Sequence, residues 1–164
     1  MNVTQAQDAP TIRVRTGTPA DIHPMMGLAL AACEENGLTD PNPQKLATEI
    51  WAGLTFQHGI VGIIGESNPL EAAILLRVES MWYSDAPALI ERAIFVHPEY
   101  RAAKGGRARL LCEFAKNAAR ELNMKLVIGV LSTHRTEAKS RLYSRQFGEP
   151  AGSYWFYDGA GAQG

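Results

Sequence analysis

The chain has 164 residues, of which 46% are hydrophobic and 20% charged, the balance of a globular protein with one core and not of a disordered or fibrous chain. Sixteen basic against seventeen acidic residues leave a formal charge of −1, so no global field draws it to nucleic acid or to an anionic membrane. Two cysteines without CxxC spacing and four scattered histidines argue against a disulfide framework and against a metal site, and the polar Met1–Pro10 start, with no apolar run of about eighteen residues, points to a cytoplasmic protein.

The ends 1–10 and 159–164 have no apolar period and read as a flexible N-terminus and a flexible Gly/Ala tail around one domain, 11–158. Ile12 and Val14 alternate with Arg13 and Arg15 in a first strand, Thr11 to Thr16. Thr18-Pro19-Ala20-Asp21 then offers a capping residue, a proline at the first helical position and an early acid, starting a helix that Asn36-Gly37 stops. After the turn-rich Asp40-Pro41-Asn42-Pro43, the spacing of Leu46, Ile50, Trp51 and Leu54 predicts a second amphipathic helix over Lys45 to Phe56. Gly59 to Gly65 and Ala72 to Val78, apolar runs too short for helices, read as an antiparallel hairpin. Leu89 to Val96 is a fourth strand, closed by His97-Pro98.

From Arg107 to Leu122 one apolar stripe runs through Leu111, Cys112, Ala115 and Ala119, opposite Arg109, Glu113 and Lys116, so a helix is expected there. Leu126 to Leu131 is the nearly unbroken apolar run of a strand covered on both faces, and with strand four and the helix it forms a βαβ unit. A last helix, Thr136 to Phe147, and a last strand, Ser153 to Tyr157, complete the chain. The dispersed histidines read as surface or capping residues and Cys112 as core. Met81-Trp82-Tyr83 fits a core cap or a pocket wall, and Glu34, Glu35 and Asp40 fit a solvated helix end or an attractor for a cationic amine.

The turn inside the βαβ unit reads Val96-His97-Pro98-Glu99-Tyr100-Arg101-Ala102-Ala103-Lys104-Gly105-Gly106-Arg107-Ala108. Small residues there let an anion approach the N–H groups that open a helix, where the helix dipole is positive, and Arg101, Lys104 and Arg107 add charge. Taken alone, this is a phosphate-binding βα turn or plain turn chemistry. The stretch resembles the central motif of the GNAT superfamily of N-acetyltransferases, a strand, V-x-P-x-[YF]-[RQ], then x-x-G-x-[GA]-x-A opening a helix. Val96, Pro98, Tyr100, Arg101, Gly106 and Ala108 match it without a gap, while Lys104 stands where that family usually has glycine. Leu126 to Leu131, Leu142-Tyr143 and Phe147 are similar to its second characteristic region, with Gln146 in place of a glycine and Thr136 in place of a frequent asparagine.

The resemblance covers most of 12–157. It implies a mixed, mostly antiparallel α/β (α+β) sheet of six to seven strands flanked by about four helices. It also implies acetyl-CoA as co-substrate, with no metal. The backbone of Ile94, Phe95 and Val96 would pair with the pantetheine arm and supply an oxyanion donor; Arg101, Ala102, Ala103, Lys104, Gly105, Gly106, Arg107 and Ala108 would hold the pyrophosphate, with Thr136 and Lys139 as further cofactor contacts. Tyr143 matches the family's frequent general acid, since a phenol near ~10 can protonate a thiolate whose acid lies near ~8.5. The other reading of Tyr143 is a core aromatic with its hydroxyl on a carbonyl.

An amine near ~10.4 needs a base, for which Glu91 on strand four is the first candidate, with Arg92 on the opposite face and Glu79 in reserve; an ion-paired edge residue is the competing reading of Glu91. The expected reaction is direct transfer of an acetyl group to a primary amine on a small-molecule or peptide acceptor, without membrane or nucleic-acid partners; monomer or homodimer stays open. The alternatives are an acyl-CoA-binding module of the same fold with little or no catalysis, and a regulator acting on an aminoacyl-tRNA or protein terminus, which a basic face should accompany.

Overall fold

The computed structural model describes residues 11–66, 68–102, 105–133 and 135–160. The ends expected to be flexible at 1–10 and 161–164 lie outside the described residues, as do Ala103, Lys104 and His134. Five strands, β1 (Arg15–Thr16), β2 (Gly59–Ile64), β3 (Ala72–Ser80), β4 (Pro87–Val96) and β5 (Lys125–Val127), lie side by side in chain order. The first four are mutually antiparallel, and β5 runs parallel to β4. The helices are α1 (Ile22–Asn36), α2 (Pro43–Leu54), the single turn α3 (Pro98–Arg101), α4 (Arg107–Glu121) and α5 (Thr136–Phe147). None of the described helices is long and apolar enough to cross a membrane.

Local chemistry sets the helix ends. Asp21 accepts the Thr18 backbone N–H at 2.8 Å and takes both terminal nitrogens of Arg15 at 2.9 and 2.8 Å, which shapes a 3₁₀ turn, Pro19–Asp21, ahead of α1. The hydrogen-bonded Arg15 guanidinium, more than any other neighbour, holds the Asp21 carboxyl down at about 2. Gly37 closes α1 in the left-handed region at φ 66°, where a glycine carries no steric penalty. Asn42 caps α2 by accepting the Lys45 N–H at 3.1 Å.

Strand alternation then divides the core in two. Ala73 and Leu75 of β3 face α1 and α2, meeting Met25, Leu28, Ile50 and Leu54; Ile74 and Leu76 face α4, meeting Leu111, Ala115 and Ala118. Gly62 lets α4 approach closely, because a Cβ there would sit 2.7 Å from the Phe114 ring. Strand β4, helix α4 and parallel strand β5 form the expected βαβ unit.

Two expectations are corrected. Among the described residues the sheet has five strands where six to seven were expected, and the last strand, Ser153 to Tyr157, does not form. Tyr154, Trp155, Phe156 and Tyr157 are 57% to 90% exposed. A strand needs an edge to pair with, and β5 ends at Val127, short of the expected Leu131, so residues 128–131 offer no ladder. The first strand also shrinks to Arg15–Thr16, although Ile12 and Val14 still pack on the α4 side.

Candidate active site

The centre of the site is an irregularity in β4. Leu75 pairs with Ala93 but Leu76 pairs with Glu91, so Arg92 is an extra residue, a bulge that bends the strand. The parallel ladder to β5 ends beside it, at Ile90↔Val127. Beyond that point β4 and the chain from Ile128 to Leu131 diverge, and a cavity of about 860 Å³ opens between them and reaches under α1 and α2. On its β5 side, β4 from Glu91 to Val96 therefore has no strand beside it among the described residues.

Glu91 sits where the strands part. Its Oε2 accepts the Gly129 N–H at 3.4 Å, and burial pushes the carboxyl up to about 7 against the pull of that hydrogen bond and of the Lys139 charge. Tyr143 of α5 lines the same cavity, its ring edge-on to Phe147 at 5.9 Å. Its hydroxyl is buried and has no hydrogen-bond partner among the described residues. Burial first, and the nearby Glu91 charge second, raise it well above the ordinary phenol range, so it stays protonated and keeps a proton to donate. Cys112 is wholly buried in α4, and burial pushes its thiol up to about 11, the opposite of what a nucleophilic thiolate needs. Lys139 lines the cavity too; burial lowers it, with Glu35 and Glu91 pulling the other way.

The βα turn enters α4 through two positive-φ glycines, and its described arginines are held by carboxylates. Gly105 at φ 128° and Gly106 at φ 59° carry the chain into α4, and Gly106 offers no side-chain cap to the first N–H groups. Arg101 donates through Nε to the Val96 carbonyl at 2.9 Å, pairs with Glu35 and lies over the Phe95 ring. Arg107 is buried, pairs with Glu71 at 2.7 Å and lies over Tyr100. Both guanidiniums, expected to add charge for a phosphate, are paired with carboxylates of the chain, and Ala102, Gly105, Gly106 and Ala108 lie beside them in the turn. Ile94, Phe95 and Val96 lie on the edge of β4 beyond the end of the ladder, and Thr136 opens α5 with its hydroxyl donating to the Ser132 carbonyl at 2.9 Å.

The C-terminal end of α1, where Glu34, Glu35 and Asp40 were weighed as a solvated end or an attractor for an amine, closes one side of the cavity through Glu35 and Asn36. Glu35 pairs with Arg101; the Asn36 amide donates to the Leu131 carbonyl at 2.9 Å, and the Thr133 hydroxyl donates to the Asn36 carbonyl. These partners lie 66 to 97 residues apart, so no local pattern signals them. Glu79, the reserve base, is an exposed partner of Arg92, and Met81-Trp82-Tyr83 forms an exposed turn away from the cavity lining. His97 caps α3 by accepting the Glu99 N–H at 3.3 Å.

No family model matches the chain, and no curated protein matches it significantly. Solved structures do. A possible acetyltransferase from Clostridium difficile 630 superposes with a TM-score of 0.67 at 17% identity, covering 91% of this chain and 98% of that one. The aminoglycoside acetyltransferase AAC(6')-Iy, solved with the bisubstrate analogue CoA-S-monomethyl-acetylneamine, matches with a TM-score of 0.67 at 14% identity over 91% and 98%. A ribosomal-protein-alanine N-acetyltransferase from Brucella melitensis biovar Abortus 2308 matches with a TM-score of 0.67 at 15% identity over 91% and 99%. The chain has the fold of these acetyltransferases, the GNAT fold.

Proposed function

We propose that the chain is an acetyl-CoA-dependent N-acetyltransferase that acetylates a primary amine by direct attack. The observation that carries this reading is the shared position of the Glu91 carboxyl and the orphaned Tyr143 hydroxyl where β4 and β5 part. The site fits the co-substrate: an unpaired strand edge suits an extended amide-bearing arm, two positive-φ glycines bring backbone N–H groups forward, and a buried hydroxyl lacks an acceptor. The neighbour bound to a CoA bisubstrate analogue supports the same direction.

The chemistry balances with these two groups. The amine reaches the site after giving its extra proton to water; its neutral nitrogen forms a bond to the thioester carbon, the C–S bond breaks, one amine proton passes to Glu91 and the thiolate takes the Tyr143 proton; amide and free thiol result. A carboxylate near 7 is matched to base work at neutral pH. Burial makes Tyr143 a weak acid, yet the same burial raises the proton affinity of a thiolate held beside it. Protonation of Glu91 also removes the negative charge that raises Tyr143, so taking the amine proton strengthens the acid when the thiolate needs it. The proton on Glu91 can then restore Tyr143.

The test is a thermal-shift titration with acetyl-CoA followed by an assay of free CoA over an amine panel. Tyr143→Phe should cut turnover by about 100-fold or more with little change in acetyl-CoA affinity, the range of a lost general acid. Unchanged turnover retires the assignment, and no thermal shift at millimolar acetyl-CoA retires the function.

A further inference from the structure

The acceptor side of the cavity has a definite chemical character. Ala29, Ala32 and Leu46 from the two helices, with Leu75, Ala93 and Phe95 from the sheet, give it apolar walls, and the small side chains on α1 leave the space open. At about 860 Å³ the cavity lies in the range of roughly 300–1,000 Å³ typical of small-molecule sites, and its walls resemble the mostly apolar lining of such sites.

Its ionisable groups are balanced. The lining carboxylates are Glu35, Glu49 and Glu91, and the lining cations are Lys45, Arg92 and Lys139. Glu35 is paired with Arg101, and Glu49 lies between Arg77 at 3.5 Å and Arg92 at 3.8 Å. A polycation needs a surplus of uncompensated carboxylates to replace the water it gives up, and this wall has none to spare. A single amine on an apolar body has one charge to lose, as a proton released to water before the neutral amine attacks, and a body that gains from leaving water.

Building on the proposed acetyl transfer, we infer that the acceptor is a monoamine with an apolar alkyl or aryl body and not a polycation such as an aminoglycoside or polyamine. This sets the chain apart from the aminoglycoside acetyltransferases among its structural neighbours, whose fold it shares.

The experiment measures CoA release with ethylamine, n-butylamine, n-hexylamine and 2-phenylethylamine against spermidine and neamine. For the alkyl series kcat/KM should rise about fourfold per added methylene, the gain expected from burying each one. It should reach at least tenfold above spermidine and neamine for n-hexylamine and 2-phenylethylamine. Ala32→Phe, which fills the chamber, should lower kcat/KM for n-hexylamine by about tenfold while the acetyl-CoA thermal shift persists. A flat alkyl series, a preference for spermidine or neamine, or an acetyl-CoA shift with no amine turned over overturns the inference alone. Absence of any acetyl-CoA shift overturns the transferase reading and this inference with it.

Discussion

Glu91→Gln separates the electrostatics of the cleft from catalysis, because its effect on stability can be read without any ligand. In the folded chain burial holds the carboxyl at about 7, against an ordinary value of 4.5. The folded-state value is the higher one, so the protonated carboxyl favours folding. That contribution is fully present below about 4.5 and is lost as pH rises through about 7. Above that pH the ionised group opposes folding by up to about 3 kcal/mol, taking about 1.4 kcal/mol for each tenfold difference in proton affinity. Glutamine keeps the shape without the charge. At pH 8.5 the variant should therefore be more stable than the parent by as much as about 3 kcal/mol, which for a chain of this size is a rise in Tm of about 6–12 °C. Near pH 4 the two should melt together. The assay is reversible thermal or urea denaturation of both proteins across that range. Equal stability at pH 8.5 refutes the buried-carboxyl reasoning. In turnover, the parent's kcat/KM should rise through about pH 7 as the base ionises, and the variant should lose that limb along with about 100-fold or more of its rate.

Asp21→Asn tests the opposite sign: Arg15 holds this carboxyl at about 2, below its ordinary 3.8, so its contribution is present above about 3.8 and is lost as pH falls through about 2. The variant should be destabilised by about 2 kcal/mol at pH 7, an urea-measured difference that shrinks towards pH 2. Gly105→Ala places a Cβ at φ 128° and 2.2 Å from the Ile12 Cδ1, a strain of about 1–3 kcal/mol at the opening of α4. Acetyl-CoA affinity measured by calorimetry should fall about tenfold or more, and wild-type affinity would show that the turn does not hold the co-substrate. Gln146→Gly, which restores the residue common in the resembling family, should cost about 1–2 kcal/mol, since it puts glycine inside α5 and removes the 2.9 Å acceptor of the Lys116 Nζ; chemical denaturation checks it.

What the sequence revealed follows the range of the forces involved. Local periodicity was enough for α4, which buries one stripe against the core, and β-branched and aromatic content for β4. The motif resemblance pointed to Tyr143 and strand position to Glu91, and both line the cavity. The aromatic run Tyr154 to Tyr157 has strand propensity, but propensity expresses fit to a sheet surface, and no edge stands beside it. Arg101 and Arg107 read as phosphate cations because their partners Glu35 and Glu71 lie 66 and 36 residues away.

The feature that organises the site is the one no sequence pattern announces. The extra residue at Arg92 exists only in the register between β3 and β4, and a bulge there bends β4 at the place where its pairing with β5 stops. An unbulged β4 could continue the parallel ladder past Val127, close the gap and leave the Glu91 carboxyl inside a continuous sheet without room for a substrate. With the bulge, Glu91 occupies the first step of the divergence, and Arg92 pairs with Glu79 and Glu49. The Tyr143 hydroxyl is buried without a hydrogen-bond partner among the described residues. On this account, pairing regularity is given up in β4 and a buried phenol goes without a partner, two departures from ordinary packing that converge on one cavity. Such departures persist where the surrounding core, here Ile74, Leu76, Leu89 and Leu111 at zero exposure, is stable enough to hold them.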